Sequence, residues 1–280
     1  MFEIKPLTGF IGAEIEGVNL RESISTELAD KLRSMVGRWH VIFMRDQFLA
    51  IAQQKQLTRV FGSIMQLPYL KPMDSDPDVI AVLKEAHNSG GGVFGGEWHA
   101  DLSFLEERPS GSVLNAVEVP NVGGDTVWAD QATAYDSLPS ELKSLIEDRD
   151  ANHVGKPYGV KYAPPKEVRS SRSIQMTCDD PASDKEISHP AVYTHPHTGR
   201  RALNVNPTYT SRLSSVTEGE SAPVLDAIYK HCTKPDFCCR FRWSVGDIAV
   251  WDNRMTMHYA VNDYDGHRRL LYRTAYREES

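Results

Sequence analysis

The sequence lacks any apolar run long enough to cross a bilayer. Its longest apolar runs, such as 41–44 and 248–251, fall far short of the roughly 18 residues that a membrane-spanning helix needs. The first residues show no basic segment followed by an apolar stretch, so no secretory signal is visible. We therefore expect a cytoplasmic protein that is not embedded in a membrane.

The sequence also has few cysteines and no excess of positive charge. The four cysteines include no C-x-x-C pair, and neighbouring Cys238 and Cys239 would alternate faces on a strand, so free thiols are expected. The 31 Lys and Arg residues face 38 Asp and Glu residues, which gives a net charge of −7 with neutral histidines. This balance predicts neither a nucleic-acid partner nor an anionic membrane surface.

What is present is an ordinary globular composition, with 40% hydrophobic and 25% charged residues in 280 positions. That length is sufficient to bury a full core. No repeat, low-complexity tract or charge block divides the chain. We expect one domain over 1–280, with a lid-like insertion around 158–190.

Helix signals stand mainly in the first part of the chain, after a short hairpin predicted within the first 20 residues. Ser25 or Thr26 can begin a helix that Gly37 can end, just before an apolar strand at 41–44. A second helix is expected over about 52–61. These helices are expected to pack on the outside of a sheet.

Strand signals dominate from about residue 112 onward, with short connectors rich in turn residues. The predicted strands are 113–119, 126–128, 202–206, 237–243, 248–252, 257–261 and 268–276. This rhythm predicts a mainly β fold with flanking helices, either an antiparallel barrel or a double-sheet jelly roll. A parallel α/β fold fits poorly, because no helix separates the last four strands and no glycine-rich phosphate loop follows a strand.

A histidine and a carboxylate, His99 and Asp101, stand two residues apart. On a strand they would project from one face and could converge on one point. An H-x-D pair alone is weak evidence, and a surface pair is the simpler interpretation. His258, on the penultimate predicted strand, supplies a third candidate. Two histidines and one carboxylate form the facial triad of non-haem Fe(II) oxygenases, which leaves three coordination positions open.

Two arginines, Arg269 and Arg273, point to the same side of the last predicted strand. Burying two like charges is costly unless anions meet them, and a dicarboxylate would satisfy both. Thr126, after the turn Gly123-Gly124-Asp125, could add a hydroxyl donor. The alternative is an exposed edge strand with solvated arginines.

These residues belong to four spaced motifs that follow one another along nearly the whole chain. The motifs are W-H-x-D-x-S-F from Trp98, G-G-D-T from Gly123, H-P-x-T-G-R-x-x-L-x-V-N from His195, and W-D-N-R-x-T-x-H-Y-A with D-Y-x-x-x-R-R-x-x-x-R between Trp251 and Arg273. Together they resemble the taurine dioxygenase and phenoxyalkanoate dioxygenase (TauD/TfdA) family.

The resemblance implies a double-stranded β-helix, that is, a cupin-like jelly roll, and an oxidoreductase that uses Fe(II), 2-oxoglutarate and O2. It implies that His99, Asp101 and His258 are the iron ligands at the catalytic centre. It further implies that Thr126 and Arg269 bind the distal carboxylate of 2-oxoglutarate.

The residues expected to contact substrate differ from the taurine enzymes of the family. Where those enzymes carry a sulfonate-binding His and Tyr, this chain has Leu67 and Leu70, and a segment that contacts taurine is replaced by Phe94-Gly95-Gly96-Glu97. Leucine and phenylalanine favour a larger, more apolar substrate. We expect a hydrophobic or aromatic carboxylate of phenoxyalkanoate type, with an alkyl sulfonate or sulfate ester as the alternative. The candidate substrate-binding residues are Leu67, Leu70, Phe94, Gly95, Phe104 and Arg273, the last at a position that contacts cosubstrate, substrate anion or both.

Two other classes of protein remain open on the residues alone. The same three ligands could hold Zn²⁺ for hydrolysis, and a jelly roll could be a binding protein without catalysis. The expected partner is in each case a small anionic molecule. A homo-oligomer is expected because symmetric assemblies are common.

Overall fold

The computed structural model describes residues 2–88, 92–163, 165 and 173–279. Its strands are β1 (Glu3–Pro6), β2 (Ala13–Glu16), β3 (Val41–Met44), β4 (Ser63–Met65), β5 (Ile80–Lys84), β6 (Gly111–Glu118), β7 (Thr126–Asp130), β8 (Asp150–His153), β9 (Ile187–Pro190), β10 (Val192–Thr194), β11 (Arg201–Leu203), β12 (Thr210–Leu213), β13 (Cys238–Phe241), β14 (Ile248–Asp252), β15 (Thr256–Ala260) and β16 (Arg269–Arg277). Its α-helices are α1 (Thr26–Trp39), α2 (Ile51–Phe61), α3 (Gln131–Asp136), α4 (Ser140–Ile146) and α5 (Glu218–Cys232).

Two sheets face each other across the core. The larger has eight strands in the order β1-β2-β3-β14-β6-β16-β4, with β5 also paired to β16, and the smaller has the order β13-β7-β15. Phe43 of the larger sheet stacks on Phe241 of the smaller one at a ring-centroid distance of 4.0 Å, and Trp128 packs edge-on against Phe43. The prediction of a mainly β, double-sheet fold with flanking helices is confirmed.

Helices α1 and α2 cover the outer face of the large sheet. Ser25 caps α1 by accepting the N–H of Leu28, and Leu32 and Val36, four residues apart, turn inward. The prediction that Gly37 ends α1 is wrong, because the helix continues to Trp39. The left-handed position falls instead on His40 (φ 61°), whose buried ring lies 3.1 Å from the Asp130 carboxylate.

The predicted insertion at 158–190 is only partly described, since 164 and 166–172 lie outside the described residues. In its described part, β9 pairs with β8, and the side chain of Tyr158 is buried. The four cysteines are free thiols, as predicted. Among the described residues, no helix is both long and apolar enough to span a bilayer.

Candidate metal centre

His99 and His258 face each other in an isolated antiparallel bridge. The His99 N–H donates to the His258 carbonyl at 3.1 Å, and the His258 N–H donates to the His99 carbonyl at 2.8 Å. This paired bonding sets the two imidazole rings side by side, with centroids 4.1 Å apart. Both side chains are buried. The backbone therefore brings together two histidines that are far apart in the sequence.

Asp101 completes the group from a turn and not from a strand, so the strand-face argument for its position is wrong. Its Oδ1 nevertheless lies 3.5 Å from Nε2 of His99 and 3.6 Å from Nε2 of His258. The turn is held by Asn253, whose side chain bonds both the N–H and the carbonyl of Asp101. The predicted convergence of the three side chains is thus present, by a different route.

The charge states of Asp101 and His258 suit a divalent metal. Burial alone would raise the pKa of Asp101, but Arg273, with His258 and His99, outweighs it and holds the pKa well below its usual range. Burial, followed by the neighbouring His99, keeps the pKa of His258 well below its usual value. An anionic carboxylate and neutral imidazoles are the forms that bind metal.

A backbone contact also orients the ring of His99. Nδ1 of His99 lies 2.7 Å from the carbonyl of Glu97, which fixes this nitrogen as the protonated one and leaves Nε2 free to coordinate. One ligand atom from each of the three residues lies within 4.8 Å of the others, and no other such group occurs among the described residues. Two imidazole nitrogens and one carboxylate oxygen fit Fe(II), with positions left open.

A second buried charge, Arg269, lines a cavity that His99 and His258 also line. Its Nε donates to the carbonyl of Gly124 at 2.9 Å and its Nη2 to Oγ1 of Thr126 at 3.3 Å, so both of these bonds go to neutral oxygens. Burial lowers the pKa of Arg269. A guanidinium only 3% exposed gains most from a bound carboxylate. The donor set therefore fits one end of 2-oxoglutarate.

The alternative of an exposed edge strand with solvated arginines is wrong. Strand β16 pairs with β6 on one side and with β4 and β5 on the other, and its residues Arg269 and Arg273 are both buried. Thr126, Arg269 and Arg273 line one cavity together with His99 and His258. A dicarboxylate held by Arg269 would thus have its other end near the two histidines.

Arg273 links the metal group to a second cavity. Its Nη2 lies 2.5 Å from Oδ2 of Asp101, the oxygen turned away from the histidines, and 3.3 Å from Oγ of Ser112. Its Nε is buried without a partner among the described residues. The second cavity, on which Arg273 also opens, is lined by Leu67 and Leu70.

The other candidate substrate residues lie beside these cavities. Phe94 and Gly95 line the cavity with the histidines, and a Cβ at Gly95 (φ +77°) would lie 3.2 Å from Cε1 of His99. Phe104 packs against Tyr158 and Tyr209 in the hydrophobic cluster that also contains Leu67 and Leu70. An apolar wall therefore adjoins the charged group.

Sequence reasoning missed Asn253 and Ser112. Asn253 stands inside the W-D-N-R motif, but nothing in that motif indicates that its side chain bonds the backbone of Asp101. Ser112 is opposite Trp251 in the β6–β14 register, so a correct strand pairing would have placed it near the histidine-bearing part of the chain. Its bond to Arg273 depends on side-chain geometry that no short motif records.

Comparisons with known proteins agree with this geometry. The family model described as "Taurine catabolism dioxygenase TauD, TfdA family" matches residues 3–275. The chain is 30% identical to an alpha-ketoglutarate-dependent sulfate ester dioxygenase of Pseudomonas putida, over 97% of this chain and 88% of that protein. It is 29% identical to an alpha-ketoglutarate-dependent 2,4-dichlorophenoxyacetate dioxygenase of Cupriavidus pinatubonensis, over 90% of each.

A solved structure supports the same conclusion for the fold. A taurine dioxygenase from Burkholderia xenovorans matches with a TM-score of 0.80 and 31% identity, over 99% of this chain and 91% of that one. The predicted jelly roll is confirmed by this likeness. Enzymes of the family use Fe(II), 2-oxoglutarate and O2, and the His-Asp-His group needed for the metal is present. The chain belongs to the TauD/TfdA family and is a 2-oxoglutarate-dependent dioxygenase.

Proposed function

We propose that this dioxygenase hydroxylates a small organic anion with an apolar body. The observation that carries the proposal is the position of Arg273, which lies between the cavity of the histidines and the cavity of Leu67 and Leu70. The family match over 3–275 supports a single dioxygenase domain. It also decides against the zinc hydrolase and the non-catalytic binding protein that the residues alone left open.

In this proposal His99, Asp101 and His258 hold Fe(II), while Arg269 and Thr126 hold the distal carboxylate of 2-oxoglutarate. With Fe(II) bound, the chemistry replaces a C–H bond of the substrate by C–OH, at the expense of O2 and of 2-oxoglutarate, which loses CO2. The protein's part is to position the reactants and to keep water out. Burial of all three ligand side chains serves the second task.

Arg273 has two tasks in this arrangement. By binding Oδ2 of Asp101, it turns only Oδ1 toward the histidines and so favours coordination through one oxygen, which preserves open positions on the metal. Its Nε, which has no hydrogen-bond partner in the described part of the chain, is available to an anionic group in either cavity. We propose that this nitrogen meets the cosubstrate, the substrate anion, or both.

The apolar lining bears on the substrate class. Leu67, Leu70 and Phe94 offer no hydrogen bond to the amine of taurine, whereas an aromatic or alkyl body would bury apolar surface against them. We therefore propose a phenoxyalkanoate-type carboxylate. An alkyl sulfate ester is the second candidate, and the 30% identity to a sulfate ester dioxygenase favours it. In either class, hydroxylation of the carbon that carries the ether or ester oxygen gives a product that falls apart.

A panel of substrates tests this proposal. Anaerobically purified protein loaded with Fe(II) is mixed with 2-oxoglutarate and O2, and succinate release is measured with phenoxyalkanoates, alkyl sulfates, alkyl sulfonates or taurine. Stimulation by phenoxyalkanoates supports the first candidate, and stimulation by alkyl sulfates the second. Stimulation by taurine alone overturns the apolar assignment, and substrate turnover without O2 would contradict the oxygenase itself.

We also propose that the protein is cytoplasmic and homo-oligomeric, with neither nucleic acid nor membrane as a partner. The net charge of −7 supports the absence of a nucleic-acid partner. Sedimentation of the purified protein at micromolar concentration tests the oligomeric state, and a monomer there would contradict it.

A further inference from the structure

We infer that Trp243 is a positioning residue for 2-oxoglutarate: its indole N–H orients the Thr126 hydroxyl so that the hydroxyl proton is left for the cosubstrate carboxylate. The inference rests on the cosubstrate site proposed above. Trp243 acts through Thr126 and not by touching the cosubstrate.

The hydroxyl of Thr126 receives two hydrogen bonds. Nε1 of Trp243 donates to Oγ1 at 3.0 Å, and Nη2 of Arg269 donates to the same oxygen at 3.3 Å. Both contacts are buried, and Thr126 is 3% exposed. An indole N–H and a guanidinium can only donate, so neither can accept the hydroxyl proton.

The direction of the hydroxyl proton follows from this count. A threonine hydroxyl has two lone pairs and one proton. Trp243 and Arg269 occupy both lone pairs of the Thr126 hydroxyl, so its proton must point away from these two residues. Thr126 lines the cavity that Arg269 and His99 also line, and this cavity is where the proton can find an acceptor. The Thr126 O–H and the Arg269 guanidinium then form a pair of donors for one carboxylate. Without the indole N–H, one lone pair is released and the hydroxyl can rotate its proton away.

The position of Trp243 does not depend on its hydrogen bond. The residue follows β13, is 4% exposed, and packs edge-on against Phe241 at a centroid distance of 5.0 Å. Phenylalanine at position 243 keeps much of this apolar contact and removes only the donor. The indole of Trp128 offers a matched comparison, because its Nε1 is buried without a partner among the described residues.

The test is the equilibrium binding of 2-oxoglutarate, measured by titration calorimetry on metal-loaded protein without O2. For Trp243→Phe we expect the Kd of 2-oxoglutarate to rise about 2- to 12-fold, the range of one neutral hydrogen bond. Metal affinity and kcat at saturating 2-oxoglutarate should stay unchanged, so that the effect falls on KM. Trp128→Phe should leave the Kd unchanged.

A double substitution separates positioning from general damage. In a Thr126→Val protein the hydroxyl is gone, so adding Trp243→Phe should change the Kd no further. An equal rise in both backgrounds, or no rise in either, overturns the inference. If Trp243→Phe does not fold, as judged by thermal melting, Trp243→Leu removes the same N–H without adding another donor and takes its place. Failure of the unaltered protein to bind 2-oxoglutarate would instead overturn the proposed cosubstrate site, and the inference with it.

Discussion

Asn253 holds the backbone of Asp101 from both sides. Its Oδ1 accepts the Asp101 N–H at 2.6 Å, and its Nδ2 donates to the Asp101 carbonyl at 2.9 Å. Because Asp101 lies in a turn, no sheet ladder fixes its backbone, and the amide of Asn253 takes over that role. Asn253 lies between β14 and β15, so it ties Asp101 to the strand that carries His258.

Replacing Asn253 by Ala should weaken metal binding. Outer residues that orient a ligand typically contribute about 10- to 100-fold in metal affinity, and we expect a loss in that range. Competition of the variant with a chelator for Fe(II) or Zn(II) measures it. Asn115→Ala is the control, because Asn115 is also buried and bonds a backbone carbonyl, that of Leu49, away from the metal group. Equal metal affinity in both variants would contradict the role of Asn253.

Replacing Arg269 by Gln should raise the requirement for 2-oxoglutarate. The loss of a buried, charge-assisted pair costs about 2 to 5 kcal/mol, which is at least about 30-fold in Kd. Calorimetry without O2 measures this directly. The neighbouring Arg268 provides the control, because it pairs with Glu85 and Glu118 and is only half-buried, so Arg268→Gln should bind 2-oxoglutarate normally. An unchanged Kd for Arg269→Gln would refute the assignment.

Replacing Asp101 by Ala should abolish turnover. The change removes the only anionic ligand of the proposed metal site and leaves the Arg273 guanidinium buried without its carboxylate. Succinate release with saturating Fe(II) is the measurement, and exposed Asp74→Ala serves as the control. Full activity of Asp101→Ala would show that the metal is held elsewhere.

His153 should make the stability of the metal-free protein depend on pH. Burial, with smaller contributions from His189 and Arg108, lowers the pKa of His153 to about 3. The unfolded chain, with an ordinary histidine pKa of about 6.5, takes up a proton below that pH while the folded chain does not. The free energy of unfolding should therefore fall as the pH drops below about 6.5, and His153 alone should account for about 2 kcal/mol of the fall at pH 5.

Urea unfolding at pH 7.5 and pH 5 tests this prediction. His153→Gln should lose about 2 kcal/mol less between the two pH values than the unaltered protein. His87→Gln, at an exposed position, should lose as much as the unaltered protein. The same fall in all three proteins would show that His153 is not responsible. The buried carboxylates of Asp101 and Asp252, whose pKa values are lowered, do not interfere with this comparison. Their contribution to the free energy of unfolding is lost only at a pH below about 5.

The sequence predicted the metal group and the sheet better than it predicted their connections. His99, Asp101 and His258 lie in two of the four ordered motifs, and the family resemblance that the motifs carry was sufficient to name the three as one group. The prediction that α1 ends at Gly37 was wrong. The buried bond between His40 and Asp130 favours His40, not Gly37, as the residue in the left-handed position that ends the helix. Such contacts join residues that are distant in sequence, so local propensity does not contain them.

The position of β16 inside the large sheet, between β6 on one side and β4 and β5 on the other, affects the order in which the protein folds. On a translating ribosome, β6 leaves the exit tunnel well before both of its neighbours in the sheet, β14 and β16, and β16 is the last of the three to be synthesised. Thr126 and the Gly124 carbonyl are then already synthesised, but the arginine that they meet is not. A nascent chain stalled before residue 269 consequently lacks part of the proposed cosubstrate site, and the exposed edge of β6 is the surface that a chaperone would have to shield.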